Sequence, residues 1–172
     1  LERIAPTEND ASRGGVVRGE VHDENAFALG GIAPHAGLFG TAPDLARFAA
    51  MLLDDGRAGG RRFVSRATLE LFTERAGVPQ ASRALGWDTP TDESGRRSST
   101  PGEPGYSSSG SLLSARSFGH TGFTGTSIWM DPERQLSVIL LTNRVHPSRE
   151  NNKIPAVRAD VADAAVRARA GA

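Results

Sequence analysis

The segment FGHTGFTGTSIWMDPERQLSVILLTN, residues 118–143, carries the strongest β-sheet signal in the chain. Short apolar stretches predict one strand at Phe118–Thr121 and a second at Ser127–Met130. The nearly continuous apolar run Leu136–Thr142 predicts a third strand that is buried on both faces. Between the last two strands, Asp131-Pro132-Glu133-Arg134 places proline at the second position of a turn. The segment therefore predicts an antiparallel hairpin preceded by one further strand.

Three helices are predicted outside this segment. The first begins after Thr41, where an N-cap hydroxyl, an early proline and a first-turn acid come together, and it ends at Gly56. Its predicted apolar face consists of Leu45, Phe48, Ala49, Leu52 and Leu53. The second begins after Ser65 and stops near Gly77. The third opens at Pro155, with an apolar side formed by Val157, Val161, Ala164, Ala165 and Ala168.

The order of elements predicts an α+β fold in which helices flank an antiparallel sheet. We expect residues 1–172 to form part of a single domain. Residues 91–111 are rich in Ser, Gly and Pro and predict a flexible loop or insertion. Leu85–Trp87 is predicted as a short strand.

Composition excludes several function classes. The formal net charge is zero, which gives no electrostatic case for binding nucleic acid. There are no cysteines, so disulfides, zinc–thiolate sites and a cysteine nucleophile are excluded. No apolar run approaches the roughly 20 residues that span a bilayer.

A lone histidine, His120, comes directly before Thr121-Gly122 at the end of the first predicted strand. Glycine has no Cβ, so another molecule can approach its backbone closely. This pattern is typical of a strand that lines a binding site. The alternative is a polar residue on the exposed face of an edge strand.

Several motifs together resemble the serine β-lactamase and penicillin-binding protein superfamily. They are GEVHDENA, HAGLFGTAPDLARFAAMLL, LGWD and FGHTGFTGTSIWMDPERQLSVILLTNRVHP, in this order. The H-T-G sequence resembles the K-T-G box in the form found in the class C-like esterase and peptidase branches. The resemblance implies a β-lactamase/DD-peptidase-like fold and a cofactor-free serine acyl hydrolase.

The resemblance implies three catalytic boxes, of which this sequence holds one. The only lysine, Lys153, follows Glu150 rather than a serine three residues earlier, so there is no Ser-x-x-Lys box. The only tyrosine, Tyr106, precedes Ser107-Ser108, so there is no Tyr-x-Asn box. The chain therefore resembles the C-terminal half of such an enzyme, and we expect it to be inactive without the missing N-terminal half. A non-catalytic homologue or binding module is the alternative.

The third box can be carried over residue by residue. His120, Thr121 and Gly122 match it, and the backbone N–H of Phe123 matches the second donor of the family's oxyanion hole. Histidine stands where β-lactamases have a permanently charged lysine, which weakens the case for β-lactam hydrolysis. Small esters, amides and peptides remain as substrates.

Two further histidines, His22 and His35, lie on glycine-rich loops and are predicted to contact substrate. A metal site formed by His22, Asp23, His35 and His146 is an alternative. No pair of them has the i, i+4 spacing of zinc-binding helices. The other alternative is that each imidazole hydrogen-bonds its own loop. Relatives in this superfamily suggest the cell envelope or periplasm, while the sequence itself identifies no compartment.

Overall fold

The computed structural model describes residues 1–79, 81–90 and 95–171. The helices are α1 (Glu24–Ala28), α2 (Ala42–Leu53), α3 (Arg66–Thr73) and α4 (Ile154–Ala170). Two short hairpins are formed by β1 (Asn9–Asp10) with β2 (Gly15–Val16) and by β3 (Arg57–Ala58) with β4 (Arg61–Arg62). The main sheet contains β5 (Phe118–Thr121), β6 (Ser127–Asp131) and β7 (Leu136–Leu140).

The main sheet confirms the three predicted strands. Its order is β5-β6-β7 and both pairings are antiparallel. The predicted turn follows β6, and Asp131 stabilises it because its Oδ1 accepts from the N–H groups of Glu133 at 3.0 Å and Arg134 at 3.2 Å. The buried carboxylate of Asp131 therefore stabilises the hairpin turn in addition to the proline.

The prediction that the third strand is buried on both faces is wrong. Within β7 only Val138 is buried, and the other four residues are partly exposed. The reason is that β7 lies at an edge of the sheet and pairs only with β6 among the described strands. The strand also ends at Leu140, two residues earlier than predicted.

Two helices cover opposite faces of the sheet, which confirms the α+β prediction. Trp129 and Met130 are adjacent on β6 and therefore point to opposite sides. Trp129 packs in a cluster with Val138 of β7, with Leu113 of the segment before β5, and with Ala162 and Val166 of α4. Met130 packs with Phe118 and with Ala49 and Leu52 of α2. Burial of each large apolar side chain contributes about 1.5–3 kcal/mol.

The helices differ from the sequence prediction in detail. Thr41 caps α2 as predicted, but Phe48 remains 43% exposed. The predicted apolar side of α4 is confirmed only at Val161 and Ala165, which are partly buried against the Trp129 cluster. It is wrong for the other three residues, since Val157 is 40% exposed and Ala164 and Ala168 are also exposed. The buried face of α4 is instead formed by Ile154, Ala159, Ala162, Asp163 and Val166. Because most apolar residues of α4 are alanines, the spacing of apolar residues only weakly predicts which face of the helix is buried.

Two connecting segments also depart from the prediction. Helix α3 ends at Thr73 rather than near Gly77. Residues 85–87 form no strand; instead Asp88 makes isolated bridges to Arg83 and to Gly119 of β5.

Residues 95–111 contain neither a helix nor a strand, yet Ser109 is fully buried. The predicted loop at 91–111 includes four residues outside the described ranges. None of the helices in those ranges is both long and apolar enough to cross a membrane.

Candidate active site

The end of β5 faces two N-terminal loops across a cavity of about 790 Å³. The cavity is lined by all six residues that the sequence predicts for the site: His22, His35, His120, Thr121, Gly122 and Phe123. Folding therefore brings together three sequence motifs that are far apart in the chain.

A tight turn follows β5 and presents the backbone of Phe123. The Gly122 N–H donates to the Thr126 carbonyl at 2.8 Å, and the Gly125 N–H donates to the Gly122 carbonyl at 3.1 Å. Between them, the Phe123 N–H donates to no acceptor among the described residues. A backbone donor that is fixed in place before reaction can stabilise a developing oxyanion.

Gly122 packs closely against a side chain of this turn. A Cβ built on Gly122 would overlap the Thr126 hydroxyl, which crosses over the glycine. From the sequence, we predict that this glycine lets a substrate approach the backbone closely. The structure adds an internal reason, because the Thr126 hydroxyl occupies the space that a Cβ would need.

The hydrogen bonds of His120 define its tautomer. Its Nδ1 lies 2.9 Å from the Thr121 carbonyl, which can only accept, so Nδ1 carries the proton. Its Nε2 therefore accepts from Nη1 of Arg83 at 3.1 Å. Arg83 also pairs with Asp88 at 2.8 Å. A guanidinium thus lies beside the histidine that replaces the family's lysine. Sequence reasoning missed Arg83, whose segment gives no local signal for such a role.

His22 is buried against a carboxylate from the N-terminal segment. Its Nε2 lies 3.0 Å from Oε2 of Glu8, and the same oxygen accepts from Nη2 of Arg149 at 2.6 Å. Hydrogen bonds from Arg149, with a further one from His22, lower the pKa of Glu8 to about 2. Glu8 is therefore ionised at neutral pH, and His22 donates to it from Nε2. Glu8 and Arg149 were missed because nothing in their local sequence indicates this pairing.

The Phe123 side chain is held by the same network. Its ring stacks on His22 with centroids 5.7 Å apart, and the Arg144 guanidinium lies 4.3 Å from the ring centroid. Nε of Arg144 also donates to the Phe123 carbonyl at 2.8 Å. Contacts to both ring and backbone fix the residue that offers the free N–H.

The other two histidines have separate partners. His35 Nε2 lies 2.9 Å from Oδ1 of Asp23, and the same oxygen caps α1 by accepting from the Ala26 N–H. These hydrogen bonds, chiefly that from Ala26, lower the pKa of Asp23. His146 Nδ1 donates to the Thr7 carbonyl at 2.8 Å. In the described ranges no three His, Asp or Glu residues are grouped to hold a metal ion.

Comparison with known proteins assigns this architecture. The family model described as Beta-lactamase matches residues 2–163. The chain belongs to the β-lactamase family. This confirms the resemblance to the serine β-lactamase and penicillin-binding protein superfamily drawn from its motifs.

Relatives within the β-lactamase family are longer than this chain. A protein of Escherichia coli O157:H7 named "Putative D-alanyl-D-alanine carboxypeptidase" is 34% identical over 167 residues, which cover 90% of this chain and 36% of that protein. A protein of the same name from Salmonella typhi is 35% identical over 137 residues, or 79% of this chain and 29% of that protein. The chain thus spans about a third of the length of these curated relatives.

A solved structure shares the fold. The crystal structure of a β-lactamase from Mycobacterium bovis superposes with a TM-score of 0.57 at 23% identity. The match covers 78% of this chain and 46% of that one. The fold of this chain therefore corresponds to about half of that β-lactamase structure.

Proposed function

We propose that this chain forms the H-T-G wall of the acyl-transfer site of a serine hydrolase. The observation that carries the proposal is the unpartnered Phe123 N–H, which lies at the edge of a cavity also lined by His22, His35 and His120. Membership of the β-lactamase family supports hydrolysis through an acyl-enzyme.

In the proposed reaction, a serine oxygen attacks the carbonyl carbon of an ester, amide or peptide. The carbonyl oxygen becomes an oxyanion and accepts from the Phe123 N–H. When the tetrahedral intermediate collapses, the alcohol or amine leaves with a proton, and water then attacks the acyl-enzyme to release the acid. One such donor contributes on the order of a hundredfold or more in rate.

The nucleophile must come from outside these residues. The full sequence has no Ser-x-x-Lys and no Tyr-x-Asn motif, so it lacks the serine, lysine and tyrosine that family members use. The active species in this proposal, called the complete protein below, joins these 172 residues to a segment that carries both motifs.

Peptides that end in D-alanine are the proposed substrates. The names of the two bacterial relatives favour this class. Such peptides carry a terminal carboxylate, and the Arg83 guanidinium beside His120 provides a cation for it. Arg83 also pairs with Asp88 at 2.8 Å, so in this proposal it supplies only part of the charge that a lysine in the H-T-G box would supply.

The absence of the serine box favours a second candidate, a non-catalytic module that binds the same peptides in the cavity. A fluorophosphonate probe distinguishes the two candidates, because it forms a stable adduct only with an activated serine. Intact-mass analysis should show one adduct on the complete protein and none on the 172-residue chain. An unlabelled complete protein would favour the binding module, while stoichiometric labelling of the isolated chain would contradict both assignments.

A further inference from the structure

An arginine lies behind the peptide unit that joins Gly122 to Phe123. Arg158, on α4, donates from Nη2 to the Gly122 carbonyl at 2.6 Å and to the Thr126 carbonyl at 2.9 Å. We propose that Arg158 is a positioning residue that orients and polarises the Phe123 N–H for the oxyanion. The inference rests on the proposed function, in which that N–H is the oxyanion donor.

The orientation follows from the geometry of the peptide bond. A trans peptide is planar, and its C=O and N–H point in opposite directions. Fixing the Gly122 oxygen therefore fixes the direction of the Phe123 N–H. Arg158 and the Gly125 N–H both donate to that oxygen. The free N–H must then point away from α4.

The polarisation follows from the charge on Arg158. A guanidinium remains protonated at neutral pH even though burial lowers the pKa of Arg158. Among the described residues no carboxylate pairs with it, and its Nε is buried without a partner. A charge-assisted hydrogen bond to a carbonyl draws electrons from the amide, so the N–H at the other end becomes a stronger donor.

The turn does not need this arginine for its own hydrogen bonds. The Gly122 carbonyl also accepts from the Gly125 N–H, and the Thr126 carbonyl also accepts from the Gly122 N–H. Burying an unpaired cation costs stability. A neutral residue of similar length at position 158 should therefore leave the turn folded. In this proposal the charge of Arg158 serves to polarise the Phe123 amide and is not needed for folding.

Steady-state kinetics of the complete protein with a small ester tests this role. We expect Arg158→Met to lower kcat by about 10- to 100-fold with KM changed less than about threefold, because the donor acts on the transition state. The melting temperature should stay the same or rise. Arg158→Lys keeps the charge and should recover part of kcat. Arg167→Met, at an exposed position on the same helix, is the matched control and should behave as wild type.

Two results would overturn the proposal. One is a kcat for Arg158→Met within about twofold of wild type. The other is a loss of kcat that is explained by a fall in melting temperature and that Arg158→Lys does not relieve. If the wild-type complete protein forms no acyl-enzyme, the proposed function fails instead. In that event the amide ¹⁵N resonance of Phe123 still tests the contact, and it should shift in Arg158→Met but not in Arg167→Met.

Discussion

The imidazole of His22 stacks on the phenyl ring of Phe123, with an interplanar angle of 21°. The same imidazole is hydrogen-bonded to Glu8 at 3.0 Å. Three segments that are distant in sequence thus meet at the buried His22, although the Phe123 ring itself is 58% exposed. The N-terminal loops and the turn after β5 are held as one unit around the cavity.

Replacing His22 should destabilise the fold more than replacing His35. His22→Ala removes the stacking and one hydrogen bond of Glu8 in a buried setting, which should lower the free energy of unfolding by about 1–3 kcal/mol. The His35 side chain is 48% exposed, so His35→Ala should cost less than about 1 kcal/mol. Urea unfolding at pH 7 measures both. Equal losses of unfolding free energy in the two variants would show that the contacts of His22 stabilise the fold no more than those of His35.

Glu8 should make stability depend on pH in the acid range. Its pKa is lowered from 4.5 to about 2 in the folded chain, so its contribution is fully present above pH 4.5 and is lost as the pH falls toward 2. The shift corresponds to up to about 3 kcal/mol.

The measurement is urea unfolding of wild type and Glu8→Gln between pH 7 and pH 3. The difference in unfolding free energy should shrink as the pH falls. Glu70→Gln serves as control, because Glu70 forms an ion pair with Arg66 in which both side chains are exposed and which therefore contributes little. A difference for Glu8→Gln that is independent of pH would argue against an ionised, paired Glu8.

The role of Gly122 can be separated into packing and substrate access. Gly122→Ala should destabilise the chain, since its Cβ would overlap the Thr126 hydroxyl. The double variant Gly122→Ala/Thr126→Ala removes that hydroxyl and should recover most of the stability. If substrate lies against Gly122, the complete protein carrying the double variant should still have a reduced kcat/KM. Recovery of both stability and kcat/KM would limit Gly122 to a role in the turn.

Structural features that depend on neighbouring residues were predicted correctly from the sequence. The turn at Asp131–Arg134 and the N-cap Thr41 are defined by neighbouring residues, and both are found where expected. The buried face of α4 was predicted only in part, and one of the residues missed is the buried Asp163. Its carboxylate accepts from the N–H groups of Ser111 and Leu112 at 2.7 and 2.9 Å. A polar residue buried by distant partners leaves no periodic signal.

In the candidate site, too, local motifs were predicted and contacts between distant segments were not. Its motif residues were predicted because each motif is contiguous in sequence. The supporting residues were missed because their roles depend on contacts between distant segments: Arg149 meets Glu8 across 141 positions, Arg83 meets His120 across 37 and Arg158 meets Gly122 across 36. Hydrogen bonds between distant segments, rather than sequence pattern, identify these residues.

His120 should control preference for carboxylate-bearing substrates. In the complete protein, His120→Ala should lower kcat/KM for a neutral ester by about 10- to 1,000-fold, as for loss of one positioned polar group. His120→Lys adds a fixed cation beside Arg83 and should favour an ester that carries a carboxylate over a neutral one. The ratio of kcat/KM for the two esters measures this preference. An unchanged ratio in His120→Lys would place the side chain outside the substrate contact.

A crystal structure of the complete protein after reaction with a fluorophosphonate locates the oxyanion directly, because the phosphoryl oxygen occupies the position of the tetrahedral oxygen. We predict that this oxygen lies about 2.7–3.1 Å from the backbone nitrogen of Phe123. The adduct should also lie in the cavity between His22 and His120. A phosphoryl oxygen that is bound elsewhere, with the Phe123 N–H left facing solvent, would contradict the assignment of the H-T-G wall.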